Sequence, residues 1–511
     1  VKLTCLGHAG LLVETNQGSV MCDPWFGPAF YGSWFPFPDN SEVRETITRS
    51  PDFLYVSHSH ADHFDREFCK ELDKNAVVIL PNYPLDELEQ ELRMLGFVNF
   101  LHTVDGVPAS YGGPTFTVFS NSSPSDGPMG DSALVIDDGE VRIFNQNDSR
   151  PMDLDAVKAA GPYDVHLLQH SGAVWFPMVY SMPPERKAAQ GRRKRQNQLD
   201  RFKHYVDVVD ATFVIPNSGP PCFLDPELFH HNDFGDDPAN IFPDQRLAMA
   251  NLPITPTYRH SGQLLLPGSV AHVHPGSFSK EHPVDPLSIF RDKRRYLEEY
   301  QERARPNIGT LDEGRFDIDL RAELMDWLTP LVMQTDLIAK GIGGKVVIDW
   351  GEHELVLDFE HRTVGTWDCE GDYVIRFVID KAILTHLADR RTPNWVDDFF
   401  PSMRFKAHRR GPYNDYVNSF FRCLSPERIK YAEAWFATNP NDGFWTCGGY
   451  RIQRRCPHAQ SDLARMGRVE GNVLTCTAHG LRFDLDTGEC LDADDLSIMC
   501  EPWTAQTASA R

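Results

Sequence analysis

Four residues near the C-terminal end could hold an iron–sulfur cluster. Cys456-Pro457-His458 is followed, after 17 residues, by Cys476-Thr477-Ala478-His479, the pattern C-x-H-x17-C-x-x-H. Two thiolates and two imidazoles so spaced suit a [2Fe–2S] cluster in which one iron takes both sulfurs and the other both nitrogens. Zinc sites built from Cys and His pairs usually run C-x2-4-C and H-x3-5-H. Such a cluster passes single electrons, so the chain must contain, or dock against, a group that consumes them. A second constellation, His58, His60, Asp62 and His63 (H-x-H-x-D-H), follows the short apolar run Phe53-Leu54-Tyr55-Val56. Imidazoles and a carboxylate on one strand-to-helix loop can serve two adjacent metals, His58 and His60 facing one and Asp62 and His63 the other.

The first set resembles a Rieske centre of the low-potential kind found in oxygenases and their ferredoxins. High-potential Rieske proteins add a disulfide between the ligand loops, and a Ser and a Tyr after the last His that donate to the cluster sulfurs. Here the positions after His458 are Ala459-Gln460-Ser461, Ala478 precedes His479, and Leu481 and Phe483 fill the Ser and Tyr slots. Missing donors lower the potential, because they would stabilise the reduced cluster. Only 32 residues follow His479, too few for a catalytic domain after the cluster, so the acceptor must lie upstream or on another protein.

The second set, after its strand, resembles the metallo-β-lactamase fold. Leu3–His8, Leu11–Glu14 and Val20–Asp23 read as strands leading to Asp23-Pro24-Trp25. The resemblance implies further ligands at later strand ends. Asp148, after Val141–Asn145, stands where the bridging carboxylate belongs, and His170, after Val165–Gln169, where the last His belongs. The fold also expects a third His for the first metal, but the loop Ser120–Asp131 contains none. Asp126 or Asp131 is the available substitute, with Asp126 favoured. Added oxygen ligands shift the preference from zinc towards iron or manganese.

The run Leu11–Glu14, the stretch Asp23-Pro24-Trp25-Phe26-Gly27-Pro28-Ala29-Phe30, Trp34, Phe176-Pro177-Met178 and Ile215–Gly219 resemble CMP-N-acetylneuraminate hydroxylase. That family joins a metallo-β-lactamase-like domain to a Rieske domain, and the similarity spans about the first 270 residues plus the Rieske match. Two departures stand out. The Rieske part comes last here, and His170 stands where the sialic acid enzyme carries an Asp.

The remaining chain has to position these groups. At 511 residues it is too long for one core, and the fold class expected is multidomain α/β. An N-terminal metallo-β-lactamase-like αββα sandwich is expected over 1–280, and a helical linker with a small α+β domain of sterol-carrier type over 281–438. An all-β Rieske domain follows over 439–511, entered through Asn439–Gly443. In the middle part, Ser288–Arg305, Leu320–Lys340 and Lys381–Arg391 read as helices, and Lys345–Trp350, Glu354–Phe359 and Tyr373–Ile379 as strands. The net charge of −23 argues against nucleic acid and anionic membrane partners. No run of about 18 apolar residues suggests a membrane span. The start enters a strand directly, without a signal peptide. Eleven scattered Cys fit a reducing compartment, so a cytoplasmic location is expected. One basic run, Arg186-Lys187, Arg192-Arg193-Lys194-Arg195 and Arg201-Phe202-Lys203, reads either as a solvated helix face or as a cationic wall for an anionic substrate or donor.

These readings converge on a Rieske-coupled non-heme iron oxygenase, diiron in type. It would use O2 and electrons from an external ferredoxin, flavin reductase or b-type cytochrome, act on a small polar metabolite, and form a homo-oligomer if the cluster serves a neighbouring copy. His58, His60 and Asp126 would hold one iron, Asp62, His63 and His170 the other, with Asp148 bridging; Cys456, His458, Cys476 and His479 would hold the cluster. The alternatives are a zinc hydrolase with a Rieske redox switch, and a non-catalytic electron carrier.

Overall fold

The strand Val77–Leu80 is apolar at every position and buried throughout, because both faces of its sheet are covered. Val77 and Ile79 face one core with Val20, Phe53 and Tyr55; Val78 and Leu80 face another with Phe68, Leu88 and Leu92. The same alternation, repeated along two sheets, builds the N-terminal half. The structure, a computed structural model, describes all residues except 123–129, 173, 253–260, 312–317, 352, 367–370, 441–442, 494 and 504–511.

The described chain forms two compact units. The first comprises Val1–Ser122, Met129–Val174 and Lys194–Thr310. Its eight-stranded sheet runs, in spatial order, Ser277–Glu281, Val270–His274, Lys2–Gly7, Gly10–Thr15, Gly18–Cys22, Phe53–Tyr55, Val77–Leu80, Asn99–His102. The seven-stranded sheet runs Ser261–Gly262, Phe213–Asn217, Val165–Gln169, Arg142–Asn147, Asp131–Asp137, Thr115–Asn121, Ala109–Ser110. Leu3, Val13 and Tyr55 of one meet Phe116, Ile143 and Leu167 of the other in a single core between the sheets. Helices Arg66–Glu71 and Glu87–Met94 cover the outside of the first sheet, and Leu154–Ala159 and part of Pro184–Val209 that of the second. This is the αββα sandwich of the metallo-β-lactamase fold. The inner strands Gly18–Cys22, Phe53–Tyr55 and Val77–Leu80 are parallel, as are Arg142–Asn147, Val165–Gln169 and Phe213–Asn217. Their C-terminal ends are where loops carrying chemistry belong.

The second unit includes Trp175–Arg193 and Leu311–Arg511. A five-stranded sheet, ordered Thr363–Gly365, Glu354–Asp358, Lys345–Asp349, Ile375–Ile379, Phe405–Arg409, lies among helices that include Leu320–Gln334, Lys381–Asp389 and Asp415–Arg422. Two three-stranded sheets follow: Phe444–Cys447, Tyr450–Gln453 and Cys500–Pro502, then Gly467–Glu470, Val473–Cys476 and Leu481–Asp484.

Two helices expected as single elements are broken. Ser288–Arg305 is Pro286–Arg291 and Lys293–Ala304, with Asp292 between them accepting from Arg295 N at 3.3 Å. Leu320–Lys340 is Leu320–Gln334 and Leu337–Ile342, with Thr335 extended at the end of the first. Among the described residues no helix is long and apolar enough to cross a membrane.

Candidate metal centres

Strand ends of the first unit converge on one buried cluster. Four non-glycine residues just past or at the ends of strands adopt left-handed backbone: His8 (φ 50°), Asp23 (41°), Asn147 (44°) and Ser218 (49°). Each such residue costs on the order of 1 kcal/mol or more, and such strain gathers where side chains must be aimed. Next to Ser218, Gly219 (φ 136°) lies where a Cβ would meet Ser171 O at 2.3 Å, so only glycine lets this turn pass the segment after His170.

The loop after Phe53–Tyr55 is fixed from outside the cluster. Asp23, fully buried, accepts from Ser57 N at 2.7 Å and Ser57 Oγ at 2.8 Å, and its Oδ2 is 3.1 Å from His63 Nδ1. Ser57 O accepts from Ser132 Oγ at 2.7 Å and from the Tyr83 hydroxyl. Asp65 accepts from Phe26 and Gly27 N at 3.0 and 3.1 Å and caps the helix after His63 through Phe68 N at 2.9 Å. This arrangement leaves His63 Nε2 turned away from Asp23.

His58, His60, Asp62, His63 and Asp148 are brought together. His58 Nε2 and His60 Nδ1 are 2.7 Å apart; His63 Nε2 is 3.3 Å from Asp148 Oδ1 and 3.9 Å from Asp62 Oδ2. His58, His63 and Asp148 each offer a donor atom within 4.8 Å of the others. His170, at the end of Val165–Gln169, is fully buried, with Nδ1 3.0 Å from Asn217 O. Burial pushes its pKa down to about 4, which keeps it neutral and able to ligate. Asp131 reaches His58 on the Nδ1 side, at 3.4 Å, where a carboxylate orients an imidazole. Asp126 lies outside the described residues.

His8 is a member the sequence reading missed. Its Nε2 is 3.0 Å from Asp62 Oδ2, and His8, Asp62 and His63 form a second trio of donors within 4.8 Å. A His in the Gly7-His8-Ala9-Gly10 turn between two apolar strands is the signal that could have found it.

The charges are mutually dependent. Burial alone would raise the Asp148 carboxyl, but His63, then His58 and His8, hold it far below the carboxylate range. Burial would lower His63, but Asp148 and Asp62 hold it well above its ordinary value. Asp62 Oδ1, His63 Nε2, Asp148 Oδ1 and His170 Nε2 are buried without a hydrogen-bond partner. Several orphaned polar atoms in one place are rare in native proteins and fit bound metal, two imidazoles and two carboxylates being a donor set for iron, zinc or manganese.

In the second unit, Cys456 and Cys476 are fully buried at the tips of the two ligand loops, while His458 and His479 are half-buried with ring centroids 4.4 Å apart. All four residues therefore face one point, as a [2Fe–2S] cluster requires. The first loop turns through left-handed Ala459 (φ 57°) and Gln460 (53°). Phe483 is buried and Leu481 opens a strand, so neither donates a hydrogen bond, as expected. The expectation that no Ser serves the sulfurs needs correction: the Ser461 hydroxyl donates to Cys476, as do the N–H groups of Ala478 and His479. The His458 ring lies 5.0 Å from Tyr413, and Arg455 donates to Asn439 at 2.7 Å.

Comparison with known proteins agrees with both halves. Residues 428–499 match the Rieske [2Fe-2S] domain, and 320–438 match the family described as Rv3818-like, SCP2-like domain. Cytidine monophosphate-N-acetylneuraminic acid hydroxylase of Mus musculus is 33% identical, but over 76 residues only, 14% of this chain and 13% of that protein. The expected kinship with that hydroxylase is thus confined to a short segment. The diiron beta-hydroxylase CmlA of Streptomyces venezuelae aligns with 49% of this chain and 50% of its own at 19% identity and a TM-score of 0.35. A Rieske 2Fe-2S iron-sulfur protein of Mycolicibacterium smegmatis is 44% identical over 521 aligned positions, covering 98% of this chain and 100% of that protein. The chain belongs to the family of that mycolicibacterial Rieske iron–sulfur protein.

Proposed function

We propose that the protein is a non-heme iron oxygenase whose metal site lies in the metallo-β-lactamase-like unit and whose electrons arrive through the Rieske cluster. The observation that carries this reading is the coexistence, in one chain, of a one-electron cluster site and a buried cluster of orphaned imidazole and carboxylate atoms. A hydrolase has no use for the electrons. The overall balance is R–H + O2 + 2 e⁻ + 2 H⁺ → R–OH + H2O, with an external reductase or ferredoxin giving the electrons one at a time. The substrate is a small polar metabolite oxidised at C–H or N–H.

In this reading His58 and His60 hold one iron with a carboxylate from the 120–131 loop, Asp62, His63 and His170 hold the other, and Asp148 bridges. Bound iron would supply O2 activation. The chain's own residues do the rest. Asp23 keeps a hydrogen bond on His63 Nδ1, which sets its tautomer and directs Nε2 inward. Asn217 O does the same for His170. His8 holds Asp62 in place by its 3.0 Å contact. Burial of Trp25, Phe26 and Phe30 in the adjoining loop keeps water away from the cluster.

Metal analysis with O2-uptake measurements tests the proposal. A diiron oxygenase carries about four irons per chain, two of them in the cluster. Two irons plus zinc would instead indicate a hydrolase, and two irons alone an electron carrier. Asp148→Asn is expected to keep the Rieske EPR signal, lose most non-cluster iron and uncouple O2 uptake from product. Full coupled activity in that variant would overturn the site.

A further inference from the structure

The basic run on the Pro184–Val209 helix is not a uniformly solvated face. Arg195 pairs with Asp233 at 2.8 Å and donates to Asn240 O at 3.0 Å, and Lys203 pairs with Asp207. Lys194 and Arg201 differ. Among the described residues no carboxylate lies within ion-pair distance of either, although Arg201 is only 9% exposed. They are seven residues apart, so they share one helix face about 10 Å apart along the axis. Gln198, between them and buried, fixes where that face points. Its Oε1 accepts from Gly172 N at 2.7 Å, and its Nε2 donates to Ile241 O at 2.7 Å. Gly172 is two residues past His170, so the face carrying both cations is docked on the segment that carries a candidate ligand.

A third cation completes the group. Arg150 is two residues past Asp148 and close enough to repel both Lys194 and Arg201, and Asp148 itself acts on Arg201. Burial, then Arg201 and Arg150, push the Lys194 amine down to about 7; burial, then Arg150, bring Arg201 down to about 9. Three cations gathered at a poorly solvated place destabilise the fold unless an anion joins them. A chain with net charge −23 had ample carboxylates to place there and pairs the neighbouring Arg195 and Lys203 with them.

We propose that Lys194 and Arg201, with Arg150, form the seat of an anionic group of the substrate, a carboxylate or phosphate, beside the metal cluster. The inference rests on the oxygenase reading only for the word substrate; the anion seat is a property of the residues. A guanidinium offers paired N–H donors to either oxyanion and the amine offers a point charge. With the charged end held there, the rest of the molecule extends towards Asp148 and His63.

The test is calorimetric titration of the full-length, metal-replete protein with inorganic phosphate and, separately, acetate. Wild type is expected to bind at least one. Arg201→Gln and Lys194→Gln should each weaken binding about tenfold, and the double variant should abolish it. Arg201→Lys should stay within about threefold. Non-cluster metal and the Rieske EPR signal should be unchanged in all. Tighter binding of phosphate than acetate would assign a phosphorylated substrate, and the reverse a carboxylic acid. As a second readout, acetic anhydride at neutral pH should acetylate Lys194, and the bound anion should protect it. Equal affinity in wild type and double variant, or labelling unaffected by saturating anion, would overturn the seat. Failure of the oxygenase reading shows instead as absent non-cluster iron or absent O2 uptake, neither of which changes the Lys194 and Arg201 dependence of anion binding.

Discussion

A single hydroxyl makes the clearest prediction at the scale of residues. Ser461 donates to the Cys476 sulfur and stabilises the reduced cluster, so Ser461→Ala should lower the midpoint potential by on the order of tens of mV, read by redox titration. No change would mean that the hydroxyl does not reach the sulfur once iron is bound. The Lys194 amine yields a second expectation, in stability. Unfolded, it keeps its proton up to about 10.5; folded, only to about 7. Between those values the unfolded chain binds more protons, so stability rises with pH across that window. Lys194→Met should therefore stabilise at pH 7, by on the order of 1 kcal/mol, with the gain shrinking towards pH 10. Thermal unfolding of both proteins over pH 7–10 checks it. Residues whose role follows from local spacing were legible: the two ligand pairs of the cluster and the H-x-H-x-D-H loop. His8 and Ser461 were not, because each meets its partner through a turn geometry that spacing does not encode.

Elements were legible where their reasons are local. Val165–Gln169 was read as a strand from its apolar run, and it is one. The Leu320–Lys340 helix was misread because its interruption has a distant cause. Glu433, from helix Pro426–Thr438, accepts from Asp336 N and Leu337 N at 2.8 Å and from Ile338 N at 2.9 Å. A carboxylate about 95 residues away thus caps a new helix start and holds the preceding residues extended. Glu433→Ala is expected to cost about 1–2 kcal/mol and fray Leu337–Ile342, seen as lowered thermal stability and faster amide exchange there. If exchange in that helix is unaltered, local sequence alone sets the break.

At the scale of the molecule, the order of parts could be read from motifs, but the grouping of Trp175–Arg193 with the second unit could not. Its cause is backbone pairing at long range: Ser181 N donates to Ala407 O and Ala407 N to Val179 O, both at 2.9 Å, while Trp175 packs on Phe400. Composition carries no trace of such pairing. Metal removal supplies the prediction for the whole chain. Buried donor atoms left without partners make the metal-free state less stable, so loading iron should raise the first-unit unfolding temperature in a concentration-dependent way. Calorimetry of stripped and reloaded protein decides it, and identical transitions would argue against metal at that site.

The ties on the 57–63 loop set how metal gets in. Asp23, Tyr83 and Ser132 grip Ser57 and His63 by bonds that need no ion, so the cage is assembled when the chain folds, not when metal arrives. Small metallo-domains that fold around their ion choose it at equilibrium, because chain and metal rearrange together. A cage closed in advance trades ions slowly, through whatever opening the loops allow. The occupant is then decided by which ion is abundant at the moment of synthesis, a matter of supply and not of affinity. Protein produced in iron-poor, zinc-rich medium should retain zinc on transfer to iron.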